Sequence, residues 1–336
     1  MGADRVTFAV ISHDAGASEL LCAFIREHQS AAQWHIFAAI PSPMATICER
    51  NALPLIPIGD AAEQLETLRP DALLFGTGWQ ERVERPYVRY CKTHHIPTVA
   101  FLDHWSNYRE RFGYPEAEWE MNLGDFTALS DEKAFGLAVE LGLPHPVALS
   151  NYYLLHFLDA AQKRSVSPNE NLLFLSEPTD AVAKRTYGDP NYWGFTQYTA
   201  LEDILKNFER FGCRGLTVRL HPSETSSGYK ALLKKYPHIR VQINDAKTFA
   251  LTDQLLAAKL IIGFDTMALY SAALLGKAVV SYLPSVKREF LLPLPSDRQL
   301  RDLQRFTKAH CDSIRLTLGT FGMDFASFTH LLKGEQ

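Results

Sequence analysis

The chain has 336 residues, a formal net charge of −4, and 46% hydrophobic against 21% charged residues. That length calls for two domains rather than one core. The balance offers no basic footprint for nucleic acid, and no apolar run is long enough to span a membrane, which leaves peripheral membrane contact open.

The N-terminus enters almost at once into Val6–Ile11, a β-rich apolar run too short for a secretory h-region. Five cysteines, widely spaced and without a C-x-x-C or Cys/His cluster, point to a reducing cytoplasmic setting. After the first run come Ser12-His13-Asp14-Ala15-Gly16 and the helical spacing of Glu19–Glu27, so the chain opens as strand, tight loop, helix. The loop is not G-x-G-x-x-G, and the dinucleotide fingerprint is absent. Trp34–Ile40 reads as a strand, Ala61–Leu68 as a helix, and Ala72–Phe75 as a strand ending at Gly76-Thr77-Gly78-Trp79. Val83–His94 is helical. Thr98–Leu102 is a strand ending in the polar and aromatic run Asp103-His104-Trp105-Ser106-Asn107-Tyr108. Phe126–Ser130 and Pro146–Ser150 are further strands on either side of the helix Asp131–Leu141.

The polar stretch Asp159–Asn171 is the candidate linker. Beyond it the alternation restarts, with strands at Leu172–Leu175, Leu216–Leu220, Ile239–Ile243, Leu260–Ile262 and Ala278–Tyr282. Helices fall at Thr199–Phe211, Ser227–Tyr236, Thr248–Ala258 and Met267–Leu275. Gln299–Lys308 and Asp324–Lys333 also read as helical, and the last helix is expected to fold back on the first half. The prediction is α/β: two Rossmann-like, doubly wound parallel-sheet domains facing a cleft, an acceptor domain over 1–160 and a nucleotide-sugar donor domain over 171–336.

Ligands of such sheets bind outside the carboxyl ends of the strands, and the polar punctuations there are the candidate site. Pro222 forces the chain out of the sheet after His221 and presents the imidazole at the edge, beside Ser223 and Glu224. Gly263-Phe264-Asp265-Thr266 leads into a helix, where Thr266 and the N–H groups of Met267 and Ala268 suit a phosphate. The competing reading is a simple helix cap by Asp265 or Thr266. Ser176 and Glu177 end the first strand of the second half, as a ligand-edge loop or as a turn. In the first half, Asp14 is a candidate general base, with His13 beside it and Gly16 allowing close approach of a ligand. Helix capping is an equal reading. Trp79, Trp105 and Tyr108 are candidates for stacking, His104, Asp103 and Asn107 for ligand hydroxyls, and Arg111 for a carboxylate or phosphate. A structural network is the alternative. No D-x-D, P-loop or G-x-S-x-G occurs, so a route without metal or cofactor is preferred.

His221-Pro222 resembles the HP motif of bacterial CMP-sugar-using sialyl-, polysialyl- and Kdo-transferases, glycosyltransferases of GT-B fold. Gly263-Phe-Asp-Thr266 through Gly276-Lys277-Ala-Val-Val resembles their second nucleotide motif, with Asp265 where the family has a second hydroxyl. The resemblance implies that His221 and Thr266 meet the donor phosphate. It also implies an acidic base, for which Asp14-Ala15-Gly16 is a loose match and Asp103 the reserve. "SHDAG", "GTGWQ" and "FLDHWSNYRERF" are similar to proteins of bacterial surface-polysaccharide clusters that make nonulosonic acids. The expected activity is metal-independent inverting transfer of a sugar, a nonulosonic acid from a CMP-linked donor, to a glycan, lipid-linked or protein acceptor. A UDP-sugar 2-epimerase and a non-catalytic nucleotide- or glycan-binding subunit are the alternatives.

Overall fold

The structure is a computed structural model and describes residues 5–78, 82–318 and 321–334. The chain divides into two compact units, Met1–His156 with Gly319–Gln336, and Phe157–Leu318.

In the first unit the strands are β1 (Thr7–Ile11), β2 (Gln33–Ala38), β3 (Leu55–Pro57), β4 (Ala72–Gly76), β5 (Thr98–Phe101), β6 (Phe126–Leu129) and β7 (Pro146–Ala148). They form one sheet in the order β3-β2-β1-β4-β5-β6-β7, every pair parallel. The crossovers carry α1 (Ala15–Glu27), α2 (Pro43–Arg50), α3 (Ala61–Leu68), α4 (Arg85–Thr93) and α5 (Glu132–Glu140). Their starts follow side-chain chemistry: Asp14, Ser42, Asp60 and Asp131 each accept a backbone N–H of the helix they precede. Central strands are buried on both faces, which is why β1 and β4 read as unbroken apolar runs.

The chain passes to the second unit within α6 (Tyr152–Gln162), so the expected linker from Asp159 is helical up to Gln162. The second sheet has strands β8 (Asn171–Leu175), β9 (Gly215–Arg219), β10 (Val241–Asn244), β11 (Leu260–Gly263), β12 (Val279–Tyr282) and β13 (Gln299–Leu300). Their order is β10-β9-β8-β11-β12-β13, again all parallel. Its helices are α7 (Thr179–Tyr187), α8 (Gln197–Lys206), α9 (Ser227–Leu233), α10 (Leu251–Ala257) and α11 (Met267–Leu274). Gly276 sits at φ +73° just past α11, the left-handed turn that lets the chain drop straight into β12.

Gln299–Lys308 is not the expected helix. Gln299 and Leu300 pair with Ser281 and Tyr282, and short 3-10 turns follow at Leu303–Arg305 and Lys308–Cys311. The apolar residues Leu300, Leu303 and Phe306 recur every three positions, the period of a 3-10 turn. The last helix, α12 (Phe325–Leu332), belongs to the first unit: Phe328 is fully buried in that core, and Phe325 stacks on His28 at 4.4 Å. No helix among the described residues is long and apolar enough to cross a membrane.

Candidate active site

The order β1-β4-β5-β6 brings four strand ends together at the carboxyl edge of the first sheet, and with them Asp14, Thr77, Asp103 and Asp131. Asp14 is the N-cap of α1 and accepts from the Gly16 N–H at 3.2 Å. It is half-buried, and its pKa is raised, first by burial and then by the charge of Asp103; Arg111 and His13 oppose the rise more weakly. A carboxyl held above its ordinary range is what a proton acceptor working near neutrality needs. Capping engages one Asp14 oxygen, so it does not by itself exclude proton transfer at the other.

Asp103 is held from behind. Its Oδ1 accepts from Arg111 Nη1 at 2.7 Å, and that nitrogen also donates to the Thr77 carbonyl at 2.9 Å. Arg111 Nε donates to the Ser106 carbonyl at 3.0 Å. Arg111 is 8% exposed, so it does not offer itself to a ligand carboxylate as expected; it fixes Asp103. The expected stacking platforms are also internal. Trp105 and Tyr108 are buried core residues, and Trp105 Nε1 donates to both oxygens of Asp131 at 3.0 Å. The Tyr108 hydroxyl is buried without a partner among the described residues. The polar and aromatic run after β5 is thus mostly a network that shapes the edge. Asn107 remains exposed, and His104 lies half-buried with Nδ1 3.1 Å from the Ser106 hydroxyl. His13 is buried, its Nδ1 2.5 Å from Oε1 of Glu84, a buried partner from just before α4. Trp79 lies outside the described residues.

Gly16 is where backbone and chemistry meet most closely. A Cβ there would lie 1.8 Å from Asp103 Oδ2. Asp103 is short and tied to Arg111, so it can make room only by giving up that pair. Gly16→Ala is expected to cost about 1–3 kcal/mol, as other overpacked substitutions do, because the better helix propensity of alanine, about 1 kcal/mol, offsets only part. Urea denaturation measures this, and activity should fall with it.

At the carboxyl edge of the second sheet, β9 ends at Arg219 and the chain turns at His221-Pro222, with the Glu224 N–H donating to the His221 carbonyl at 2.9 Å. Glu224 ties this loop down. Its Oε2 accepts the His221 N–H at 2.8 Å, and its Oε1 accepts from Tyr229 at 2.5 Å and from Ser176 at 3.1 Å. The His221 ring is exposed, and its Nδ1 accepts from the Ser223 N–H at 3.2 Å, with the Ser223 hydroxyl at 2.8 Å. A backbone N–H has only a proton to give, so Nδ1 is the acceptor and Nε2 carries the hydrogen. The ring therefore turns a donor outward. Pro222 and Ser223 are exposed beside it.

Thr266 caps α11, its hydroxyl accepting from the Leu269 N–H at 3.1 Å. Met267 and Ala268 follow, half-buried, with the first N–H groups of the helix, which have no carbonyl within it to meet. Asp265 neither caps that helix nor holds His221. It is buried, its Oδ1 accepting from Ser281 at 2.9 Å and its Oδ2 from the Leu291 N–H at 2.8 Å; burial raises its pKa. It anchors the loop after β12 and stands back from the edge. Gly263 closes β11 under it.

His221 and Thr266 share one edge, but β8 runs between β9 and β11, which puts those two strands about 10 Å apart at ~4.8 Å per strand. Ser176 and Glu177, at the end of β8, lie between them. Glu177 pairs with Arg288 at 2.8 Å, both largely buried, and the guanidinium sits 5.2 Å from the ring centre of Trp193. Arg288 comes from a loop with no motif in its sequence, and only the fold reveals a cation at this edge. Among the described residues no cluster of His, Cys, Asp or Glu is placed to hold a metal ion.

No protein-family model matches the chain, and no curated protein matches it in sequence. Solved structures do match. A UDP-GlcNAc 2-epimerase from Neisseria meningitidis, bound to UDP-GlcNAc, is similar with a TM-score of 0.58 at 12% identity, over 97% of this chain and 91% of that one. MurG of Acinetobacter baumannii gives 0.51 at 14% identity, over 87% and 80%. Anabaena Alr3699/HepE, in complex with UDP, gives 0.54 at 11% identity, over 82% and 80%. At these identities the likeness establishes the fold: two parallel-sheet α/β domains of the GT-B class.

Proposed function

We propose that the protein is a nucleotide-sugar-dependent glycosyltransferase that works without metal or cofactor. The observation that carries this reading is the carboxyl edge of the second sheet, where an imidazole turns Nε2–H outward on the same edge as the N-terminus of α11. The second unit holds the donor; the first supplies the base. The acceptor oxygen attacks the anomeric carbon and the bond from that carbon to the phosphate oxygen breaks. Asp14 takes the acceptor proton, and the departing phosphate keeps the electron pair and is stabilised by His221 and the α11 N–H groups. Attack opposite the leaving group inverts the anomeric centre.

The His-Pro and Gly-Lys resemblances favour a CMP-linked nonulosonic acid as donor. The separation of β9 from β11, about 10 Å at ~4.8 Å per strand, favours a nucleoside diphosphate, whose two phosphates reach further than one. The Neisseria and Anabaena neighbours, bound to UDP-GlcNAc and UDP, support the same choice. We therefore place a nucleoside diphosphate sugar first. Thermal-shift titration with CMP, UDP, GDP and dTDP tests it: stabilisation by a diphosphate is expected, stabilisation by CMP alone restores the nonulosonate donor, and no response to any nucleotide overturns the reading.

One observation favours a second reading. Asp14 and Asp103 form an acidic pair around Gly16, as a UDP-sugar 2-epimerase would need to move a proton on the sugar. Conversion of UDP-GlcNAc with no acceptor present, followed by proton NMR, would select the epimerase. Turnover that requires an added acceptor would select the transferase.

A further inference from the structure

A parallel sheet wound with helices on both sides should be apolar on both faces. In the second unit one face meets this rule: Leu172, Phe174, Leu216 and Val218 are core, with Val241 and Ile243 packed against it. The other face is apolar at Leu173, Ile261 and Val279 but departs from the rule towards β9 and β10. The strand register aligns Leu173, Thr217 and Gln242 on it, with Asn244 two residues further along β10. A cavity of about 230 Å³ lies over this face, bounded also by Gln254 of α10.

Two of its walls carry polar atoms cut off from solvent and without a hydrogen-bond partner. They are Oδ1 of Asn244, a residue only 5% exposed, and both Oε1 and Nε2 of Gln254. A buried amide left unpaired is costly, and native folds rarely keep one without a reason. Both residues line the same cavity, so an occupant towards which their amides rotate would satisfy them.

Size and charge narrow the occupant. The space falls short of the ~300 Å³ at which pockets for drug-sized ligands begin, yet is several times the ~30 Å³ share of one water. The charged lining residue is Asp253, and Arg164 already holds both of its oxygens, at 2.5 and 2.7 Å. An anion would find no free cation here, and a cation would have to break an ion pair. Neutral amides and the Thr217 hydroxyl supply donors and acceptors together, which is what adjacent hydroxyl groups require. Leu173, Ala257 and Ala258 add apolar surface for the C–H face of a ring.

We propose that this cavity binds a neutral polyol of monosaccharide size, on the face of the second sheet and separately from the nucleotide edge. A shallower depression lined by Ser165 and Ser167 shares Val166 and Asp253 with it and forms the entrance, bordered by Arg164. The site uses none of the residues assigned to donor or base, so its failure and that of the proposed function are read separately.

Saturation-transfer NMR on the full chain, with D-glucose, N-acetylglucosamine and myo-inositol as probes and UDP or CMP absent or in excess, tests it. At least one probe should give a signal that excess nucleotide leaves in place and that Asn244→Leu and Gln254→Met each reduce ten-fold or more. Gln254→Met keeps length and helix propensity and serves where Asn244→Leu does not fold. No signal from any probe, a signal that survives both substitutions, or a signal displaced by nucleotide overturns the proposal.

Discussion

Asp14→Asn is expected to lower turnover by about 10²–10⁴-fold, the usual share of a positioned general base, and at the same time to stabilise the folded protein at neutral pH. The two effects share one cause. Burial and the Asp103 charge disfavour the Asp14 carboxylate in the folded chain, so its folded pKa lies above its unfolded value. The stability this group contributes is then fully present below the unfolded pKa and is lost as pH rises through the folded one. Wherever the native protein carries the ionised carboxylate it does so at a cost, and asparagine removes that cost. Asparagine caps a helix as well as aspartate does, so the bond to the Gly16 N–H is retained and the start of α1 is not the reason for any change. Activity follows the opposite sign with pH. The working form is the carboxylate, so kcat/KM should fall on acidification through a pKa above the ordinary aspartate range, and that limb should vanish with the residual activity of Asp14→Asn. A thermal melt at pH 7 beside a pH–rate profile reads both. Unchanged turnover, or a variant that melts lower than wild type, would remove Asp14 from the role.

The architecture was legible because parallel strands buried on both faces must be apolar throughout and must end where polar residues take over. Val6–Ile11, Ala72–Phe75 and Leu260–Ile262 all announce themselves this way. Short edge pieces do not: β3 has three residues and two of them are exposed, so Leu55–Pro57 carries no pattern. Strand order is not written in local sequence either. Nothing in residues 215–266 says that β8, from residue 171, will slide between β9 and β11, so the separation of His221 from Thr266 cannot be read from that stretch. The run after β5 shows a different limit. Trp105, Tyr108 and Arg111 have the composition of a sugar platform, yet their side chains are buried and Arg111 works on Asp103 rather than on a ligand. Composition identifies which groups can bind; burial decides which are free to.

His221→Ala is expected to lower turnover by about 10²–10³-fold, the loss that follows removal of one preorganised donor to a developing negative charge, with nucleotide affinity falling less. The asymmetry follows from timing: a phosphate gains charge as the glycosidic bond breaks, so a neutral Nε2–H is worth more there than in the ground state. The same geometry predicts a weak effect at the neighbouring residue. Ser223 fixes the tautomer through its backbone N–H as well as its hydroxyl, at 3.2 and 2.8 Å from Nδ1. Ser223→Ala keeps the N–H and should cost less than ten-fold, since a neutral hydrogen bond is worth about 1 kcal/mol. Ser223→Pro removes the N–H as well, frees the tautomer, and should approach His221→Ala. Steady-state kinetics with the four proteins side by side gives the order wild type, Ser223→Ala, Ser223→Pro, His221→Ala. If Ser223→Ala were as damaging as His221→Ala, the hydroxyl would be the phosphate ligand and the imidazole its support. If His221→Ala kept full activity, the donor edge would have to be sought at Arg288 and the start of α11 alone.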